Sequence, residues 1–296
     1  MTLLANLAAN TSPLLQGNLN IEDLSASKRG SASVYVLEDA REFARLEEQA
    51  NCEGYRCDEE FSHIDLPNDA KVLDAGCGSG LLARYLTTRF PTATIVGVDA
   101  AIDRIEQARK LARTSKNIEF RSANLRRLPF PDASFDFVFC RYVLHHMPND
   151  LTDRVEVLRE LYRCIKPAGK AVFVEPDAMF YNLHPQTKAI ERAFSIFQEK
   201  APVDLFLGRK LGELLLRSGF AIHDWMVQPI VSRKRLLLQE YELMSERFDQ
   251  LTPLLESMLA GSENAAEFRR DFLEALLRPD TIYYCNKIIV TGLKTH

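Results

Sequence analysis

The residues best placed to do chemistry lie between Val72 and Gly80, where the chain reads Val-Leu-Asp-Ala-Gly-Cys-Gly-Ser-Gly. Glycine recurs at alternate positions, Gly76, Gly78 and Gly80. With no side chains there, the backbone turns tightly and a ligand can come into van der Waals contact with the main chain. Asp74 stands just ahead of this turn. A second acid, Asp99, follows about twenty residues on, where a carboxylate can accept both hydroxyls of an adenosine ribose. A dinucleotide fingerprint would read G-x-G-x-x-G, and from Gly76 it requires glycine where Leu81 stands. A nicotinamide oxidoreductase is therefore disfavoured. Further along, His145 and His146 are adjacent, and neutral imidazole is the side chain suited to taking a proton near pH 7. Arg141, Glu175 and His184 are further candidates, with Arg141 either a site residue or the ion-pair partner of Glu175.

Short β-rich runs, each followed by a helical pattern, must position these residues. KVLDAG (71–76), TIVGVD (94–99), IEFRSAN (118–124), FDFVFC (135–140) and KAVFVEP (170–176) read as strands. Leu81, Leu82, Tyr85 and Leu86 mark one intervening helix, and Ile102, Ile105, Ala108 and Leu111 another. A third carries Leu151, Val155, Leu158, Leu161 and Ile165 and stops at Lys166-Pro167-Ala168-Gly169. Such alternation means parallel strands, right-handed crossovers and helices on both faces. The expected fold is α/β, a doubly wound, mostly parallel sheet whose ligands bind at the carboxyl ends of the strands. Two more strands, FAIHDWMV (220–227) and TIYYCNKIIVTGLK (281–294), bring the total to seven. Residues 177–207, rich in aromatics, and 230–278, with a stripe at Leu237, Tyr241, Met244, Phe248 and Leu251, read as helical insertions covering the site. Residues 1–32 read as a mobile arm ahead of a domain spanning 33–296, which opens on a helix from Val34 to about Ala50.

Composition narrows the classes. The formal net charge of −4 over 296 residues offers no global field for nucleic acid or an anionic membrane. Six scattered cysteines, with no CxxC pair and no histidines at zinc spacing, read as free thiols in a reducing compartment. The N-terminus is a poor signal peptide and no stretch is apolar enough for a membrane span, so a cytoplasmic protein is expected.

The quoted glycine segment, VGVD, SANLRRLPFPDASFDFVFC, RYVLHHMPN and RELYRCIKPAGKAVFVEPD together resemble a class I S-adenosylmethionine-dependent methyltransferase, over about residues 33–294. The text from Tyr35 to Gln49, Arg141–His146 and Glu175–Asp177 resembles a subgroup acting on small molecules. The resemblance implies S-adenosylmethionine as cofactor, with Gly76, Cys77, Gly78 and Gly80 cradling its methionine and ribose portions and Asp74 welcome beside its cationic end. It also implies Asp99 on the ribose hydroxyls, Ala100 against adenine, and Asn124 (usually Asp) with the Leu125 amide on the adenine edge. Arg141 contacts the cofactor or its carboxylate on this reading, and Tyr35, Arg45 and Gln49 close over it. In the family the last strand usually runs antiparallel. The implied reaction is transfer of a methyl group to a small, apolar acceptor, with His145 or His146 as general base and no metal. An RNA- or protein-directed enzyme of the same fold, or a cofactor-binding module without catalysis, are the alternatives.

Overall fold

The computed structural model describes residues 55–147, 150–201, 204–233 and 235–295. The arm at 1–32, the helix at 34–50, Tyr35, Arg45, Gln49 and Cys52 lie outside the described residues. In chain order the elements are α1 (Cys57–Phe61), β1 (Lys71–Ala75), α2 (Leu81–Arg89), β2 (Thr94–Asp99), α3 (Ile102–Leu111), β3 (Ile118–Ser122) and β4 (Phe135–Arg141). There follow α4 (Leu151–Cys164), β5 (Ile165–His184), α5 (Lys188–Lys200), α6 (Leu211–Arg217), β6 (Ala221–Ser232), α7 (Arg235–Met258), α8 (Ser262–Leu277) and β7 (Ile282–Leu293). Single 3₁₀ turns occupy Leu144–His146 and Gly208–Lys210.

The strands form one seven-stranded sheet in the order β3-β2-β1-β4-β5-β7-β6. β1 pairs in parallel with β2 and β4, β2 with β3, and β4 with β5. At the far side the Ala168 amide donates to Lys294 and the Lys294 amide to Gly169, joining the start of β5 to the residue just beyond β7. Neighbouring strands that meet start to end run in opposite directions, so β7 is antiparallel, as the resemblance implied.

The described chain divides into two compact units, each discontinuous in sequence. The larger runs up to Asp177 and includes Leu207–Gln228 and the chain from Lys287. Its parallel strands are buried on both faces, because successive side chains point to opposite sides and both sides carry helices. Leu73, Val96, Val98, Val138 and Phe173 pack on Leu158 and Leu161 of α4 and Leu211, Leu214 and Leu215 of α6. On the opposite face Val72, Ile95, Phe139 and Val172 pack on Leu82 and Leu86 of α2, Ile105 and Ala108 of α3 and Phe61 of α1. The smaller unit comprises Ala178–Phe206 and Pro229–Asn286. There Phe194 and Phe197 of α5, Phe248 of α7, and Phe268 and Phe272 of α8 form a cluster of edge-to-face rings. Met244, Phe248 and Leu251 of the expected stripe are buried.

Three boundaries differ from the sequence reading. Ile165 opens β5 instead of closing α4. The region expected to turn helical at 177 stays extended to His184, and α5 starts only after Thr187, whose side chain accepts from the Ile190 amide. Residues 171–180 are buried without interruption, and such a run has no period to distinguish a strand from a buried helix. The expected helical stretch 230–278 opens on the end of β6 and is broken near Gly261, which lies between α7 and α8 with φ +135°. The described cysteines, Cys57, Cys77, Cys140, Cys164 and Cys285, are free and buried. Among the described residues no helix is long and apolar enough to cross a membrane.

Candidate active site

The glycine turn forms as its sequence requires. Gly76, Gly78 and Gly80 all have positive φ, and Gly76 and Cys77 donate their amides to the Val98 carbonyl of β2. At Gly76 a β-carbon would lie 2.3 Å from a Val143 methyl, so the turn presses directly on the segment that follows β4. At Gly78 the nearest atom to such a carbon is Arg104 Nη1, 3.9 Å away. There the glycine is needed for its φ of +53°, and the main chain is left bare on that side.

One acid braces the turn and the other the helix that follows it. Asp99 Oδ2 accepts from the Gly78 amide at 2.9 Å and Oδ1 from the Ala101 amide at 3.0 Å. An ionised carboxylate offers about four lone-pair sites. Half-buried Asp99 therefore keeps acceptor capacity for two hydroxyls while its position is fixed. Asp74 Oδ2 accepts from the Ala83 amide in the first turn of α2 at 3.1 Å. Burial pushes its carboxyl up to about 7, against the opposing pull of that amide and of Arg141. Burial likewise pushes the Cys77 thiol well up, so it is a packing group and no nucleophile. Ala100 is exposed beside Asp99, and Leu125 is half-buried. Exposed Asn124 turns its side-chain oxygen onto the Arg126 amide at 2.9 Å, the turn-forming use of an asparagine, with one acceptor site remaining on that oxygen.

Arg141 ends β4, one residue past the pairing of Ala75 with Cys140, and so lies opposite the start of the glycine turn. Its partner is not Glu175. Nε and Nη2 grip Glu60 of α1 at 2.5 and 3.0 Å, and Nη2 also donates to the Tyr55 carbonyl. Lys287 Nζ of β7 donates to the same Glu60 at 2.8 Å, and neither Glu60 nor Lys287 has any exposed side-chain surface. Burial pulls the Lys287 amine down while Glu60 supports its charge. Glu60 and Lys287 escaped the sequence reading. Yet Tyr283, Cys285, Lys287 and Ile289 alternate on the buried face of β7, so a lysine at an inward position was the available signal.

Glu175 instead organises the residues after β4. The chain leaves the strand through Tyr142, at φ +55°, a strained region for a residue with a side chain. Glu175 Oε1 then accepts from the Val143 and Leu144 amides at 2.9 and 2.7 Å, and Oε2 meets His145 Nδ1 at 2.7 Å. His145 is fully buried, and its Nε2 has no hydrogen-bond partner among the described residues. This carboxylate fixes Nδ1 as the donor, which leaves Nε2 with its lone pair. His146 is half-buried, its ring 3.7 Å from that of His145. Two residues on, Asp177 receives a fork from Arg209 and its amide, closing the 3₁₀ turn at Gly208. The two acids of Glu-Pro-Asp thus order two different loops. His184 is exposed at the end of β5. Among the described residues no group of three or more His, Cys, Asp or Glu could hold a metal ion.

A parallel sheet in this strand order, a bare glycine turn after β1 and an acid at the end of β2 define the class I methyltransferase architecture. Residues 73–173 match the methyltransferase domain family, and this part of the chain is a class I methyltransferase domain. It is similar to methyltransferase str3 of Strobilurus tenacellus, 36% identical over 194 residues, covering 64% of this chain and 66% of that protein. It is also similar to the malonyl-[acyl-carrier protein] O-methyltransferase of Legionella pneumophila, 29% identical over 187 residues, covering 62% and 57%. Other curated relatives are matched over about half of their length or less. The YcgJ protein of Bacillus subtilis shares the fold, with a TM-score of 0.53 at 20% identity over 80% of this chain and 97% of that one.

Proposed function

We propose that this protein transfers a methyl group from S-adenosylmethionine to a small, apolar organic acceptor. The observation that carries the reading is the glycine turn, bare at Gly78 and braced by an Asp99 carboxylate that retains acceptor sites. These residues fit the cofactor: the turn accommodates its methionine and ribose portions, Asp99 its hydroxyls, Asn124 and the Leu125 amide its adenine. When bound, S-adenosylmethionine supplies a methyl group on sulfonium, already bonded to an excellent leaving group. What remains for the chain is to bind, orient and exclude water.

His145 or His146 takes the proton of an acceptor hydroxyl or amine, and Glu175 holds the His145 ring through Nδ1. Glu175 is thereby a positioning residue. A histidine–carboxylate pair suits an acceptor that must lose a proton, so O- or N-methylation is favoured over capture of an already ionised group. The slightly negative net charge supports a small acceptor over a nucleic acid. The relative named for a malonyl group on an acyl carrier supports an organic one.

Calorimetric titration with S-adenosylmethionine and with S-adenosylhomocysteine tests the cofactor. Micromolar binding of both is expected, and failure of both overturns the reading. A screen of apolar hydroxyl- and amine-bearing acceptors follows. In it one of His145→Ala and His146→Ala should cut turnover by about 100-fold or more with cofactor affinity retained, and unchanged turnover in both removes the base.

A further inference from the structure

The turn that carries both histidines is too short to hold itself. Leu144–His146 is a single 3₁₀ turn, in which the His146 amide donates to the Val143 carbonyl and the Met147 amide to that of Leu144. Such a turn has poorer hydrogen-bond geometry than an α-helix and too few bonds to offset the ordering of its backbone. The chain also enters it through Tyr142 at φ +55°. Its shape is therefore set from outside. Glu175 takes the leading amides, those of Val143 and Leu144. The carbonyls are held by Arg154 of α4, whose Nε donates to Leu144 at 3.2 Å and Nη2 to Met147 at 3.4 Å. Local energetics alone would not put an arginine there. Arg154 is the fourth residue of α4, near the end of a helix that favours negative charge, and is only 2% exposed. Withdrawing a guanidinium from water is costly. What the residue supplies is geometry: its planar head presents Nε and Nη2 along one edge, matched to carbonyls three residues apart.

We infer that Arg154 is a positioning residue for proton transfer: together with Glu175 it fixes the turn so that His145 and His146 keep one orientation toward the acceptor. The inference rests on the functional reading above. A carboxylate grips the turn at its amide end and a guanidinium at its carbonyl end, so each charge meets the backbone dipoles that favour it. The machinery of the reaction thereby extends to α4, whose Leu158 and Leu161 serve only to pack on the sheet.

Amide hydrogen exchange on the full chain reads the grip without any acceptor. Arg154→Lys keeps the charge and loses the fork. In it the Val143 and Leu144 amides should exchange about tenfold or more faster, the worth of one hydrogen bond to a charged group, while Val138 and Phe139 of β4 stay within about twofold. Nitrogen-15 spectra of the neutral histidines should show His145 as the Nδ1–H tautomer in the unaltered protein and as a mixture with the Nε2–H form in the variant. Equal acceleration throughout β4, or an unchanged tautomer, reduces Arg154 to a brace of the fold. Unchanged exchange at Val143 and Leu144 removes the grip and leaves the reading of the histidines standing. If Arg154→Lys does not fold, the unaltered protein still decides. There the Arg154 Nε proton should exchange about tenfold or more slower than that of exposed Arg113, and equal rates overturn the grip. If His145→Ala and His146→Ala both leave turnover unchanged, the functional reading falls first and this inference with it.

Discussion

The two units differ in how much of their interior is charged: the smaller buries Asp204, Glu240 and Arg247 beside its rings, the larger many more. In the larger, the interior includes Glu60, Asp74, Arg104, His145, Arg154, Glu175, Asp177 and Lys287. Several of these hold a segment in a shape it would not otherwise keep: Glu175 the residues after β4, Asp74 the start of α2, Asp177 the turn at Gly208. In the smaller, phenylalanines on three helices meet edge to face, and Phe272 alone contacts the rings of Phe194, Phe248, Phe268 and Tyr283. Apolar burial stabilises without directing, whereas a buried carboxylate with several donors fixes one geometry at a cost in desolvation. Stability and site geometry should therefore come apart under mutation.

Phe272→Ala should give the largest effect, a loss of about 3–5 kcal/mol of unfolding free energy in a denaturant titration. Cofactor affinity measured well below the transition should be unchanged, and a parallel loss of affinity would break the distinction. Asp99→Ala should reverse the pattern, weakening cofactor binding by about 2–4 kcal/mol, the worth of two hydrogen bonds to a charged group. Wild-type affinity in that variant would remove the ribose assignment.

A smaller effect follows from Asp74. Burial raises its carboxyl to about 7, so the folded protein holds a proton that the unfolded chain releases near 3.8. Stability contributed by that proton is present below the unfolded value and lost as pH rises toward 7. A cationic ligand beside Asp74 favours the ionised form. Binding should then release a proton below pH 7, and affinity should rise with pH by at most about tenfold per unit until it levels off above 7. Calorimetry in buffers of different ionisation enthalpy measures this release, and Asp74→Asn should abolish both the release and the slope. The smallest effect is expected at Trp225 on the edge strand β6, which is 64% exposed. Trp225→Ser should change stability by no more than about 0.5 kcal/mol.

Much of the larger unit was legible because its signals are local. A glycine at every second position, an acid at a strand end and a period of 3.6 residues in α3 and α4 each need only a short window. The parallel strands β1 to β4 fell within two residues of their expected bounds. β5 did not, since its apolar run continues past Asp177 without a period. The role of Glu175 was not legible either: a carboxylate's choice between Arg141 and three successive residues after β4 depends on the angle set by Tyr142, and nothing in its spacing encodes that. The pairing of Glu60 with Lys287 spans 227 residues, a separation at which a single sequence carries no trace of contact.

The strand order has a consequence for how the protein is made. β7 lies between β5 and β6, yet it is synthesised after both. Until Ile282–Leu293 has emerged, β5 lacks its neighbour on that side and β6 has no strand to join. β1 to β4, with their helices, can pair as they appear, but the far side of the sheet must wait with open edges for an insertion across a long sequence separation. Such late, non-local closure slows folding and leaves unpaired strands exposed to other chains. Lys287 arrives on that same last strand, so a nascent chain that has already formed its glycine turn still holds Glu60 without its second cation.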